Sequence, residues 1–176
     1  RMEGAVPEGC RFVRANFRGT RPDKEQLVKA DLRSPLLPGI DLAGMDLGGK
    51  DFRGADLSEC NLRGARLAGT DLADANLWGA CLQESDFSGA RLKSAILTGA
   101  VLKGANLSQA QLSGLDLGGL DMSRARLART FLRGTNLSGA KLNGAYLRRA
   151  HLDNANLRGA NLSGANLSWS FLNGAD

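Results

Sequence analysis

The sequence predicts an all-β solenoid made of five-residue units. A large apolar residue recurs at every fifth position from Leu27 to Leu172, and it is leucine except at Phe52, Phe87 and Met122. A small residue, most often alanine, lies two positions before most of them, and glycine lies two positions after more than half of them. Helices repeat every 3.6 residues and simple strands every 2, so a period of five fits neither. Self-similarity at a short fixed period is typical of a solenoid whose coils stack on one another.

Each unit is expected to place two residues inside the coil and one at a corner. Leucine would fill the interior, and the alanine beside it would keep the column narrow enough to pack without voids. Glycine at the corner adopts backbone angles that a Cβ atom disfavours. Asp or Asn just before the leucine can accept hydrogen bonds from nearby backbone groups at the bend. The repeat therefore explains most of the composition on structural grounds alone.

Units such as Ala55–Glu59 and Ala160–Gly164 resemble the pentapeptide repeat family. The resemblance covers most of the chain and implies a right-handed quadrilateral parallel β-helix, with four units in each coil. The five-residue period by itself would also permit a triangular coil. With four sides, the 30 units form about 7–8 coils. Positions i and i+20 would then be vertical neighbours on one face.

The chain divides into a lead-in segment, residues 1–29, and a repeat region, residues 30–176. The repeat phase breaks at Pro22, and an exposed solenoid end needs a cover. Residues 1–29 are therefore predicted to form an irregular N-terminal cap. The repeats continue to Asp176 without a capping helix, which predicts either a longer native chain or end-to-end self-association at the C-terminal coil.

The composition limits the class of protein. The chain carries 23 Lys and Arg against 18 Asp and Glu, a net charge of +5. It contains no run of 18 apolar residues, so we expect no transmembrane helix and no membrane partner. Its three cysteines are odd in number and lack metal-ligand spacing. We expect a reducing compartment and a cytoplasmic location, or delivery from the cytoplasm as part of a larger protein.

Residues suited to catalysis are scarce. His151 is the single histidine, so a His-based pair with a cysteine nucleophile is not expected. Asp51 and Asp71 would stack on one face, but the repeat itself favours Asp or Asn at those positions. The glycines belong to corners rather than to a phosphate-binding loop between a strand and a helix. We predict a non-enzymatic protein with no catalytic residue, no cofactor and no metal.

The outer surface of the C-terminal third departs from the repeat pattern. Arginine replaces the corner glycine at Arg129 and Arg149, and phenylalanine replaces Asp or Asn at Phe131 and Phe171. Stacking of positions i and i+20 would build one aromatic ladder and a second ladder of arginines that ends at Trp169. Arg, Trp and Tyr are enriched where binding energy concentrates. The predicted partner-binding residues are Arg129, Phe131, Arg133, Tyr146, Arg148, Arg149, His151, Trp169 and Phe171.

Two interpretations of this C-terminal surface compete. In the one we favour, it docks an acidic partner protein or a neighbouring domain of the same chain. In the alternative, Asp121, Asp153 and solvent offset the arginine charges, and the aromatic rings merely pack on one another.

Two further departures lie in the middle of the repeat region. Cys81 and Val101 would stack, with Trp78 and Ile96 at the adjacent corner, and a contiguous apolar patch can mark a contact surface. The second predicted partner-binding patch is Trp78, Cys81, Ile96 and Val101. Leucine also replaces the small inward residue at positions 115 and 120, which predicts local widening of the coil.

Three functions follow from these observations. We favour a protein–protein interaction scaffold or adaptor that is part of a larger chain or complex. The family resemblance implies an alternative, because some pentapeptide repeat proteins mimic B-form DNA and protect type II topoisomerases such as gyrase. That mimicry requires a strongly negative surface, which a net charge of +5 disfavours. The third is nucleic-acid binding through the basic C-terminal face, a further alternative that we disfavour as well.

Overall fold

The computed structural model describes residues 36–176, so the predicted cap at residues 1–29 lies outside the described part. Within 36–176 the chain forms neither a helix nor a strand longer than one bridging residue. Each five-residue unit consists of a bridging residue, an interior leucine, two turn residues and an inward small residue. None of these described residues belongs to a helix that could cross a membrane.

The bridges show that one coil has four sides. Every bridge is parallel and joins positions i and i+20, from Leu36 and Asp56 at one end to His151 and Phe171 at the other. Because each unit takes five positions and forms one side, this offset corresponds to four sides per coil. The described part is therefore a four-sided parallel β-helix, and the triangular alternative is wrong for it.

Hydrogen bonds between coils run in both directions along the rod. The amide of Leu57 donates to the carbonyl of Asn76 one coil further on, at 2.7 Å. The amide of Asn76 donates back to the carbonyl of Ala55, at 2.8 Å. This alternation recurs along the rod and pairs the backbone of each side with the coil before it and the coil after it.

The core is one continuous apolar column. The large residues at every fifth position from Leu37 to Leu152 are at most 3% exposed. Inward hydroxyls donate either to the preceding coil, as Thr130 Oγ1 does to the carbonyl of Leu107 at 2.8 Å, or to the leucine of their own unit, as Thr70 Oγ1 does to the carbonyl of Leu67 at 2.7 Å. Cys60 takes an inward small position, and its Sγ donates to the carbonyl of Leu37. No buried side-chain N or O atom among the described residues lacks a partner.

The corners are held by a left-handed backbone residue and a side-chain cap. Eighteen glycines and ten other residues have φ between 56° and 74°, all at the fourth position of a unit. The Asp or Asn before the leucine accepts a hydrogen bond from the amide two residues later, as Asp41 does from Ala43 at 3.1 Å. Both corner roles predicted from the sequence are confirmed.

Between Leu36 and Phe171 the series of bridges is interrupted at one place. Ile96 pairs with Asn76 in the coil before it but not with Asp116 in the coil after it. The amides of Leu97, Gly99 and Asp116, which would join these two coils on this side, donate to no backbone carbonyl. Neither do the amides of Ser94 and Asp121 on the adjoining sides. We call this break the seam.

The seam lies where the sequence predicts widening. Leu115 and Leu120 are buried at inward positions that alanine takes in the preceding coil, at Ala95 and Ala100. The larger side chains need more room than alanine, so the two coils cannot approach to hydrogen-bonding distance on this side.

Candidate functional site

A groove of about 900 Å³ runs along one corner of the rod. Its walls are two columns of residues that recur once per coil, one at the corner and one on the adjacent face. We call it the corner groove, and its lining residues are Gly89, Gln109, Arg129, Phe131, Arg149, His151, Trp169, Ser170 and Phe171. Gly89 and Trp169 are four coils apart, so at a coil spacing of ~4.8 Å the groove is ~19 Å long.

The corner wall consists of four residues that replace glycine in successive coils. Gln109, Arg129, Arg149 and Trp169 all have left-handed backbones, with φ of 62°, 57°, 58° and 63°. Below them the same column continues as Gly89, which has no side chain. The wall therefore begins abruptly at Gln109, and this change from glycine to large side chains bounds the groove.

The facing wall is a stack of three rings. Phe131 and His151 have centroids 5.2 Å apart with planes 7° from parallel. His151 and Phe171 are 4.9 Å apart with planes 10° from parallel. Because the rings cover one another's faces, their edges are turned toward the groove and the solvent. The predicted aromatic ladder is confirmed as a stacked structure.

The floor of the groove is rigid. Thr130 and Ala150 are fully buried, and the Oγ of Ser170 donates to the carbonyl of Leu147 at 2.7 Å. The amide of His151 donates to the carbonyl of Thr130 at 2.9 Å. Both walls thus rise from backbone that is hydrogen-bonded between coils, which keeps the Cα atoms of the wall residues at a regular spacing.

The two arginines of the groove take part in none of the ion pairs among the described residues. Within residues 36–176 the ion pairs involve other arginines, namely Arg53, Arg63, Arg66, Arg91 and Arg158. Arg129 and Arg149 form no ion pair with any described residue. Their guanidinium groups are therefore available to an anionic ligand.

The carboxylates expected to offset these charges are engaged elsewhere. Asp121 accepts from the hydroxyl of Ser123 at 2.6 Å, and this bond is the main reason why the pKa of Asp121 is lowered. Lys141 and Lys103 lower it further. Asp153 accepts from Asn173 at 3.1 Å. Neither Asp121 nor Asp153 forms a direct ion pair with Arg129 or Arg149 among the described residues. The aromatic rings stack, as both interpretations expect.

Six of the nine residues predicted for the C-terminal surface line the groove. Arg133, Tyr146 and Arg148 do not. Gly89, Gln109 and Ser170 were not predicted. Gln109 could have been, because it lies one coil before Arg129 in the same column.

The second predicted patch is present but separate from the groove. Cys81 and Val101 form a bridge and are partly buried. Trp78 and Ile96 are 49% and 51% exposed. The amide of Leu77 donates to the carbonyl of Ile96, which places Trp78 in the coil next to Ile96. Among residues 36–176 no group of three or more His, Cys, Asp or Glu is arranged to hold a metal ion.

Comparison with known families accounts for the repeat. The family model described as pentapeptide repeats (8 copies) matches residues 51–89, 85–124, 105–144 and 140–176. These matches cover more than half of the sequence. The chain belongs to the pentapeptide repeat family. The resemblance seen in its units is thereby confirmed. No curated protein sequence matches this pentapeptide repeat chain.

Several solved pentapeptide repeat structures are similar to the chain. HetL, from the cyanobacterium Nostoc sp. strain PCC 7120 and involved in heterocyst differentiation regulation, is 31% identical with a TM-score of 0.38; 94% of this chain and 84% of HetL are covered. Full-length QnrB1, a plasmid-mediated fluoroquinolone resistance protein, is 18% identical with a TM-score of 0.41; 96% of this chain and 91% of QnrB1 are covered. A pentapeptide repeat protein from the Arabidopsis thaliana thylakoid lumen is 27% identical with a TM-score of 0.24; 85% of this chain and 73% of that protein are covered.

Proposed function

We propose that this protein is a non-enzymatic interaction module whose corner groove binds an acidic surface of a partner protein. The observation that supports it most is the pair of unpaired arginines, Arg129 and Arg149, beside the stacked rings of the same groove. The repeat favours glycine and Asp or Asn at these positions, so the structural pattern does not require the side chains found there. We also infer that the rod winds right-handedly, with seven to eight coils, as the family resemblance implies.

The chemistry of the groove favours a protein carboxylate over a neutral ligand. A guanidinium group presents two parallel N–H donors, and its bidentate pairing with a carboxylate is stronger than a neutral hydrogen bond. The rings supply apolar area at little conformational cost, since they are already stacked. A rigid apolar wall beside two fixed charges is typical of the residues that dominate binding energy at interfaces.

The charge of the chain argues against the topoisomerase-protecting alternative. A protein that occupies a DNA-binding saddle must present a negative surface, because the saddle is built to bind phosphates. Here the net charge is +5. Residues 107–176 carry eight Lys and Arg against four Asp and Glu, so the part that contains the groove is also basic.

The test is to identify the partner and then to remove the arginines. Arg129→Gly with Arg149→Gly restores the corner residue of the repeat, and the left-handed backbone favours glycine over arginine by about 1–2 kcal/mol. Crosslinking in an extract of the source organism identifies the partner. Titration of each variant with the purified partner then gives a Kd. We expect about tenfold or greater weakening of binding with an unchanged or raised Tm.

Arg124→Gly is the matched control. Arg124 has φ of 57° at a corner on another face and also forms no ion pair with a described residue. The control therefore repeats the loss of an exposed corner arginine while leaving the groove intact. If Arg124→Gly weakens binding of the partner as much as the single substitution Arg149→Gly does, then binding depends on overall charge and the groove is not the site.

A further inference from the structure

We infer that the corner groove takes an amphipathic α-helix of the partner, lying along the rod with acidic residues on one flank. The inference rests on the proposed function, because it specifies which element of the partner enters the groove. Four properties of the groove support it: its paired backbone, its repeat distance, its width and the spacing of its arginines.

The backbone at Phe131 and His151, beside the middle of the groove, leaves no place for an added strand. The amide of Phe131 donates to the carbonyl of Ala110, and the carbonyl of Phe131 accepts from the amide of Leu112. His151 is paired in the same way: its amide donates to the carbonyl of Thr130, and its carbonyl accepts from the amide of Leu132. Strand addition needs a row of unpaired N–H and C=O groups. A partner must therefore contact side chains.

The repeat distance of the walls matches a helix better than a strand. Wall residues recur once per coil, at ~4.8 Å. Helix turns recur at ~5.4 Å, whereas residues on one face of a strand recur at ~6.6–6.8 Å. Over the two coil intervals from Phe131 to Phe171 a helix loses register by about 1.2 Å and a strand by about 4 Å. Only the helix can place one side chain against each ring.

The width of the groove admits one ridge of side chains. A volume of about 900 Å³ over a length of ~19 Å gives a mean cross-section of roughly 50 Å². A whole helix is about 10–12 Å across, so its backbone would stay outside while side chains at i, i+4 and i+7 enter. A helix of about 13 residues spans the full length.

The arginines set the position of the acidic flank. Arg129 and Arg149 lie in successive coils of the corner wall, with the amide of Arg129 bonded to the carbonyl of Arg148. On a helix, residues three or four apart have Cβ atoms about 5–6 Å from each other. Two Glu or Asp at that spacing, beside the apolar ridge, can each meet one guanidinium group.

The test uses synthetic 16-residue peptides of known sequence. Four helical peptides carry Leu, Ile, Met or Phe on the ridge and Glu at i and i+4 on one flank. Each has an isomer of the same composition with alternating apolar and acidic residues, which favours an extended strand. Binding is followed through Trp169 fluorescence in a Trp78→Phe chain, and peptide helicity through circular dichroism.

We expect at least one helical peptide to bind about tenfold more tightly than its isomer and to gain helicity on binding. The double substitution Arg129→Gly with Arg149→Gly should weaken binding of this peptide, and Arg124→Gly should leave its binding unchanged. The inference is overturned if every isomer binds as well as its helical counterpart, or if a 16-nucleotide single strand binds the groove more tightly than all peptides.

The two proposals fail in different ways. If no helical peptide outperforms its isomer but an identified partner still depends on Arg129 and Arg149, the helix is wrong and the interaction site stands. If neither the partner nor the peptides respond to the arginine substitutions, both proposals are wrong.

Discussion

Ten residues other than glycine hold the left-handed corner conformation in the described part of the chain. Each costs about 1–2 kcal/mol relative to an ordinary backbone. Most stand singly or in pairs within their column, as Asp74 and Ser94 do. Only the column of Gln109, Arg129, Arg149 and Trp169 has four in succession, counted over residues 36–176. Conformational cost therefore accumulates in one wall of the corner groove, which is where a binding role would compensate for it.

A second residue-scale consequence concerns the buried thiol. Burial raises the pKa of Cys60 to about 11, because the interior disfavours the thiolate. In the unfolded chain the thiol ionises near pH 9, so between about pH 9 and pH 11 only the unfolded state loses this proton. The stabilisation is fully present below pH 9 and is lost as the pH rises to about 11.

We therefore expect Cys60→Ala to flatten the alkaline loss of stability. A difference of about two pKa units corresponds to roughly 2–3 kcal/mol of unfolding free energy between pH 8.5 and pH 11. Urea unfolding of the parent and the variant across this range measures it, and at pH 7 the two should differ little, since alanine is the usual residue at this position. Parallel stability curves from pH 9 to pH 11 would contradict the prediction.

At the scale of the element, the coil is the unit of stability. Each coil contacts only its two neighbours, so the rod is a series of interfaces whose strengths add. The seam between the coils of Ile96 and Asp116 lacks backbone hydrogen bonds on one of its four sides. It is therefore expected to open before the interfaces on either side of it.

Amide hydrogen exchange measures this difference with an internal control. The amides of Leu97, Gly99, Asp116 and Asp121 should exchange at least about tenfold faster than their equivalents one coil further on. Those equivalents are Leu117, Gly119, Asn136 and Lys141, whose amides donate at 2.8–2.9 Å. Equal protection of the two sets would show that the seam is closed in solution.

At the scale of the whole molecule, the sequence period determines which residues are neighbours. A residue's column depends only on its place within the four-unit coil, so the stacking of His151 between Phe131 and Phe171 is predictable from numbering. The depth of the groove cannot be predicted from numbering, because it depends on the directions of the side chains at the corner and on the absence of a side chain at Gly89. Arg133 and Tyr146 do not line the groove, although each belongs to a unit that contributes a lining residue.

Deleting a single five-residue unit tests directly whether the site depends on the alignment of positions i and i+20. Deletion of residues 136–140 takes out one complete unit and brings Asn156, rather than His151, above Phe131. The interior pattern of leucine and alanine is unchanged, so β-type circular dichroism and most of the thermal stability should remain. Binding of the partner or of the helical peptides should be lost, because both walls of the groove are broken at the deletion.

Deletion of residues 61–65 is the matched control. It also removes one unit, but every residue of the corner groove lies beyond it and the walls stay aligned with each other. Binding should persist in this variant. If both deletions abolish binding, or neither does, the alignment of positions i and i+20 is not what builds the site.

The four-unit register also decides how such a surface can change over generations. A gene segment that gains or loses four units leaves every face in line and only alters the reach of the rod. Gain or loss of a single unit turns everything beyond it by a quarter turn, so one in-frame event exchanges which faces meet while the core stays packed. A lineage can thus assemble a new combination of faces while the leucine and alanine interior is kept, and the position of the event along the rod determines which old surface is kept.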